Sequence, residues 1–367
     1  MIDLFDLYIQ KIADKKYFIW YFTFIIFFTI LFFSFPPFYS KITSSTWDAI
    51  FYQIAHPFKQ IESSDLSHES KLTFRLFPVF VGKVFSFNKF AFLVFQYILG
   101  LLSIRFVLEI LIKKLENISF AFLLTLAYGF LYVGKVSFIE MRGIFDGVAI
   151  FLLILPFRIK HPLVVLFSIF FAAWTDERGL IASSFIFIYF LYSYLKDKSF
   201  HTKKVLYSIV LSWFLYFLSR VFLTYFYGLE TNAGGINFKT LALNLELAPI
   251  SLFGGLEGFW ILFFIAFVFK KSKIGLIDYL AIFSTFIVLF VSFMVYDVTR
   301  SLAYLFPVIF LAIQIILDTN KTIVTNKLVW SLFCVSFLYP AYCIAGNTTN
   351  WSKPFILEYI FQFFTNS

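Results

Sequence analysis

Apolar runs of about 20 residues, the length that crosses a hydrocarbon core, recur along the whole chain, and short charged clusters separate them. Of the 367 residues 61% are apolar and 14% charged, where soluble domains carry roughly 45–50% apolar residues. A water-soluble fold has no interior large enough to hide that much apolar surface. The pattern predicts an all-α polytopic membrane helix bundle forming a single domain over residues 1–367. Eleven spans are expected, at 17–35, 90–112, 118–133, 144–157, 162–175, 178–195, 205–227, 250–269, 276–296, 300–317 and 328–345. Segment 74–88 is apolar too, but Arg75, Pro78, Gly82 and Lys83 interrupt it, which fits a re-entrant or interfacial piece better than a span. The first run is long and ends at Pro36-Pro37 without a small-residue cleavage site, so it reads as a retained helix rather than a signal peptide.

Lysine and arginine set the expected orientation. With the N-terminus in the cytoplasm, sixteen of them fall in inner segments and twelve in outer ones. The C-terminus and a first outer loop at 36–72 then lie outside, in the setting of a bacterial inner membrane. Thirteen of the 21 carboxylates fall on the outer side. Acidic residues contribute little to topology, so their gathering there points to chemistry on that face. The net charge of +9 comes from loop lysines and accompanies no nucleic-acid recognition fold, which excludes nucleic acid as a partner. The two cysteines, Cys334 and Cys343, fall within the last expected helix, on opposite faces, and support neither a disulfide nor a metal site.

The most informative stretch follows the first span. Ser45 or Thr46 can cap a short helix whose Trp47, Ile50, Phe51, Ile54 and Phe58 share one side, with Pro57 ending it. Such a helix should lie along the outer membrane surface, with Asp48 in its first turn where membrane meets water. On its own, Asp48 could simply complement the helix dipole.

The run Trp47-Asp48-Ala49-x-Phe51-Tyr52, followed by Ile54-Ala55, is similar to a W-D-[GA]-x-[FWY]-Y pattern. That pattern marks the first outer loop of GT-C integral membrane glycosyltransferases, especially the mannosyltransferase-like branch related to GPI mannosyltransferase 2. Arg75-Leu76-Phe77-Pro78 resembles the R-x-x-P element at the end of that loop. Asp146-Gly147, Asp176-Glu177-Arg178 and Asp297-x-x-Arg300 stand at outer span ends, where similar proteins carry charges. The resemblance implies sugar transfer from a polyprenyl-phosphate donor to an acceptor outside the cytoplasm, with membrane lipids as surroundings. It implies Asp48 as catalytic base and Trp47, Tyr52, Arg75, Arg178 and Arg300 as substrate-binding residues, since a planar guanidinium holds phosphate oxygens in pairs. For each arginine, an ion pair with Glu177, Asp297 or another neighbour is the alternative.

Glu140, Arg142 and Asp146 fall within seven residues of an outer turn and, with Glu177 and Asp297, are candidates to line a polar cavity. Gly254-Gly255-Leu256-Glu257-Gly258 lacks the Lys-Ser/Thr ending of a phosphate loop and is expected to kink a helix. His56 and His68 fit no metal-binding spacing, and no cofactor is implied beyond a divalent metal that outer carboxylates could take. Two readings compete with the transferase. A secondary transporter or lipid flippase needs ionisable groups near the midplane, for which Arg105, Glu109 and Arg220 are the candidates. A non-catalytic membrane assembly protein would use the outer loops to bind a partner.

Overall fold

A computed structural model of the chain describes residues 2–34, 44, 46–61, 72–230, 238–268, 275–339, 342–345 and 348–351. Expected outer-loop residues Glu62, Asp65, His68 and Glu69, and the tail beyond residue 351, lie outside the described residues.

Helices account for nearly all of the described chain. The N-terminal α1 (Ile2–Ala13) leads into the apolar α2 (Phe18–Ser34), and then come α3 (Thr46–Ala55) and α4 (Leu76–Phe85). The long α5 (Lys89–Leu115) precedes α6 (Ile118–Phe130) and α7 (Tyr132–Ile139), a pair bent by 60° at Leu131. Next come α8 (Asp146–Arg158), α9 (Pro162–Thr175), α10 (Arg178–Asp197) and α11 (Phe200–Tyr227). The remainder comprises α12 (Phe238–Leu245), α13 (Ala248–Leu256), α14 (Trp260–Phe263), α15 (Leu276–Phe293), α16 (Val298–Ala303), α17 (Pro307–Thr319) and α18 (Asn326–Leu338). A two-stranded hairpin, β1 (Tyr342–Ala345) against β2 (Thr348–Trp351), closes it.

Large apolar side chains also cover much of the outside of the described bundle. Along α11, Tyr207, Phe214, Phe217, Val221 and Tyr225 face outward, Tyr225 at 82% exposure, and Tyr279, Phe283, Phe286 and Phe290 do the same on α15. Spacings of three and four residues put each set on one helix face. In water such stripes would be a large exposed patch; against lipid tails they cost nothing. Several hydroxyls inside the helices are satisfied by their own backbone, as the absence of water there favours. Thr23, Thr125 and Thr285 each donate to the carbonyl four residues back, at 2.7, 2.6 and 2.8 Å.

Among the described residues, six helical stretches are long and apolar enough to cross a membrane: Lys89–Leu115, Arg178–Asp197, Phe200–Tyr227, Ala248–Val268, Leu276–Phe293 and Val298–Thr319. The bent α6–α7 pair makes a seventh. Phe18–Phe33, Pro162–Thr175 and Asn326–Leu338 are shorter apolar helices. At 1.5 Å per residue they reach only ~20–25 Å, against a hydrocarbon thickness of ~30 Å. Of the eleven spans expected, six or seven have full crossing length among the described residues. The last segment departs most from expectation, because α18 stops at Leu338 and Cys343 lies in β1 rather than on a helix. Pro340, which has no N–H to donate, follows closely in the sequence and is the physical reason. The glycine segment behaves as expected: α13 ends at Leu256 and Glu257 takes a positive φ of 48°.

Polar side chains gather at two ends of the bundle. Asp146, Arg178 and Arg300 start α8, start α10 and lie in α16, and they are joined by ion pairs. At the far ends of the same elements, Arg158 pairs with Glu109 of α5 and Lys196 with Asp318 of α17. From Arg178 to Lys196 along α10 is roughly 27 Å at the helical rise, so the two clusters lie most of a membrane thickness apart. By the lysine distribution, the Asp146 end is expected to be the outer one.

Candidate functional site

The Asp146 end is built from helix starts. Peptide dipoles leave partial positive charge and unbonded N–H groups at a helix N-terminus, where a carboxylate is stabilised. Asp146 sits in the first turn of α8, and Asp297 immediately precedes α16. Asp176 accepts the Arg178 backbone N–H at 3.0 Å, closing the turn that begins α10. Gly147 allows the start of α8 to lie against α7, since a Cβ there would come within 2.2 Å of Ser137 Oγ and 2.8 Å of its Cα.

Three guanidiniums meet these three carboxylates. Arg300 donates to Asp146 through Nε at 2.7 Å and Nη2 at 3.1 Å, and through Nη1 to Asp297 at 2.5 Å. Arg178 grips Asp176 in bidentate fashion, both bonds at 2.7 Å, and reaches Asp146 at 3.3 Å. Arg75 Nη2 closes the network on Asp176 at 2.9 Å. Tyr304 donates its hydroxyl to Asp146 at 3.3 Å and lies under the Arg178 guanidinium. Arg75, Asp146, Asp176 and Arg300 are all buried. Burial alone would raise the Asp176 carboxyl, but the charges of Arg178 and Arg75 outweigh it and hold that group well below the usual carboxylate range. Removing a member whose loss leaves another buried charge uncompensated costs about 3–5 kcal/mol. Beside the network a cavity of about 30 Å³, edged by Arg178, Ser301, Tyr304 and Ser292, has room for one water or two.

Arg75 differs from the other two arginines. Only Nη2 is engaged, and among the described residues its buried Nε and Nη1 have no hydrogen-bond partner. The next residue, Leu76, opens a groove of about 440 Å³ between α4, α9 and α11, lined by Phe77, Phe80, Phe171, Trp174 and Phe222 with Ser219 as its single hydroxyl. Trp174 is two residues from Asp176, so both walls of one groove end lead to the Arg75–Asp176 pair. Arg220 of α11 sits over the Phe74 ring at 4.1 Å, bonds Tyr216 Oη at 2.6 Å and approaches Glu177 at 4.0 Å. It therefore belongs to this end and not to a midplane pathway.

The expected interfacial helix forms as α3. Trp47 is 1% exposed, donates its indole N–H to Met141 O at 2.9 Å and packs near Phe51, Phe92 and Phe145. Gly143, at φ 84°, lets the 140–145 turn pass beneath it, with a would-be Cβ 3.1 Å from the Trp47 ring. That indole anchors the helix on the protein. Asp48 and Tyr52, four residues apart on the opposite face, are both exposed. No ion pair among the described residues joins Asp48 to the arginines; its link to them runs through Trp47 and Met141 to the turn carrying Arg142. Within that turn Glu140 is buried and binds Arg142 through its side chain and its backbone N–H. Gln96 Nε2 caps the carbonyls of Ser137 and Glu140 at 3.1 and 2.9 Å, satisfying the end of α7.

The structure thus unites Arg75, Asp146, Asp176, Arg178, Asp297 and Arg300, sets Glu177 at the edge and Glu140 with Arg142 in a neighbouring pair, and leaves Asp48 and Tyr52 on a separate exposed face. Sequence reasoning missed Ser301 and Tyr304; their one- and four-residue spacing from Arg300 was the available signal. Among the described residues no three His, Cys, Asp or Glu side chains group as metal ligands. Compared with protein-family models, characterised proteins and solved structures, the chain finds no match.

Proposed function

We propose that the chain is a GT-C-like glycosyltransferase that moves a sugar from a polyprenyl-phosphate carrier to an acceptor at the outer membrane face. The observation that carries this reading is Arg75, a buried guanidinium with two unpartnered nitrogens, next in sequence to Leu76, which lines an apolar groove. A lipid phosphate needs both parts, cationic donors for its oxygens and an apolar channel for its chain. The ion pairs of Arg178 and Arg300 assign them a supporting role: they neutralise Asp146 and Asp176, so that Arg75 is not fully satisfied by carboxylate.

In the reaction the acceptor hydroxyl oxygen attacks the anomeric carbon and forms the new glycosidic bond. The bond from that carbon to the phosphate oxygen breaks, and the phosphate leaves with the electron pair. The hydroxyl proton passes to the carboxylate of Asp48, which is exposed and free to receive it, and the anomeric configuration inverts. Arg75 stabilises the departing phosphate, a charge that grows in the transition state.

The test is turnover of a polyprenyl-phosphate sugar by the purified protein in lipid nanodiscs, read as release of polyprenyl phosphate. Asp48→Asn keeps the size but removes the basicity, so turnover should fall by about 10²–10⁴-fold. Parental turnover by a monodisperse Asp48→Asn protein would remove Asp48 from the chemistry, and absence of turnover with any such donor in the parent would sink the transferase reading.

A further inference from the structure

A cavity of about 850 Å³ lies at the opposite end of the bundle, between α5, α8, α10 and α17. Its charges do not balance. Lys113, Lys114, Arg158, Lys160 and Lys321 line it, against Glu109 and Asp318. Both carboxylates are already engaged, Glu109 with Arg105 at 2.8 Å and with Arg158, and Asp318 with Lys196 at 2.8 Å and the Gln314 amide at 2.9 Å. Lys321 stands 3.9 Å from Glu116.

Among the described residues three lysines, Lys113, Lys114 and Lys160, form no close ion pair with a carboxylate. Lys114 lies across the Tyr189 ring and donates only to neutral oxygens, Tyr189 Oη at 3.0 Å and Gln314 Oε1. Desolvation and the charge of Lys113 hold the Lys160 ammonium below its ordinary pKa, with Asp197 opposing. Like charges drawn together without a counterion are an unfavourable arrangement that an anion would relieve. The remaining wall is apolar, including Ile19, Ile110, Phe157 and Leu317. Cationic donors beside an apolar wall at a bundle end match an amphiphile with an anionic head.

We propose that this cavity binds the phosphate headgroup of an anionic membrane lipid, with Lys113, Lys114 and Lys160 on the phosphate oxygens and the Ile110–Phe157–Leu317 wall against the start of the acyl chains. The lysine distribution puts this end in the cytoplasmic leaflet, where anionic lipids attract basic side chains and basic pockets between helices hold their headgroups. The site stands apart from the transferase reading, since it is roughly a membrane thickness from Arg75 and does not require turnover to be detected.

The experiment is a thermal-stability titration of the purified full chain in neutral detergent with phosphatidylglycerol, phosphatidylcholine or inorganic phosphate. Phosphatidylglycerol should raise Tm saturably, and phosphatidylcholine and inorganic phosphate should not. Lys113→Gln and Lys160→Gln, both at exposed side chains, should each weaken the apparent lipid affinity about fivefold, the effect of one basic residue at an anionic surface. Lys114→Gln is read alongside for its stronger expected loss; if it fails to give a monodisperse protein, the two exposed variants decide. Equal stabilisation by phosphatidylcholine would overturn the proposal, equal stabilisation by inorganic phosphate would overturn the lipid assignment, and unchanged affinity in both exposed variants would overturn the site.

Discussion

The two polar ends of the bundle handle charge in opposite ways. At the Asp146 end, three arginines and three aspartates compensate one another, and four of the six are buried. At the Lys114 end, five cations and two carboxylates edge an open cavity. A balanced buried network fixes helix starts in one arrangement and is intolerant of change, whereas an unbalanced open one is poised for a ligand. The partial exception at the balanced end is Arg75, whose two unpartnered nitrogens give that end its candidate chemistry.

The largest expected contrast is in stability. Asp146→Asn removes the carboxylate shared by Arg300 and Arg178, and unfolding stability should fall by about 3–5 kcal/mol, because buried Arg300 loses both bonds to Asp146 and keeps only Asp297. Lys113→Gln, with no ion pair to break, should change it by no more than about 0.5 kcal/mol. Thermal or denaturant unfolding in detergent reads both. Similar losses in the two variants would erase the distinction between the ends.

A smaller effect is expected with pH. The folded Asp176 carboxyl is depressed below its unfolded value of about 3.9. Its contribution is therefore fully present above that value and declines as pH falls toward the folded value. Stability attributable to this residue, taken as the difference between the parent and Asp176→Asn, should be flat between pH 8 and 5 and shrink below about pH 4. A difference that already shrinks between pH 7 and 5 would mean that the arginines do not hold the carboxylate ionised.

The smallest effect sits beside the balanced end. Trp47→Phe keeps most of the apolar packing but deletes the indole bond to Met141 O, and should cost about 1 kcal/mol. Because the indole seats the helix that carries Asp48, turnover should fall with little change in donor affinity. A change confined to donor affinity would instead make Trp47 a contact of the substrate.

How much of this was legible in the sequence depended on range. Apolar runs, lysine loops and the short α3 helix are local patterns, and they were readable. The motif around Asp48 singled out a helix that forms, whereas nothing local reveals that the Trp47 indole reaches Met141, 94 residues away. Asp146, Asp176 and Arg300 were noticed separately at span ends, but their pairing across 154 residues is tertiary. Arg220 read as a midplane charge because its place in an apolar run carries no information about Phe74 or Glu177. The cationic cavity was invisible for the same reason: its lysines come from different loops and looked only like markers of topology. Span length was overestimated where a run of the right composition ended early, as at Leu338 before Pro340.

Retention of polyprenyl monophosphate by the purified protein, measured by native mass spectrometry for the parent and Arg75→Gln, tests the central claim most directly. Asp176 keeps Arg178 in the variant, so the fold should survive, and a monodisperse profile checks it. The account predicts one lipid phosphate bound per parent chain and at least tenfold weaker retention by Arg75→Gln. Equal retention by a well-folded Arg75→Gln protein would contradict it.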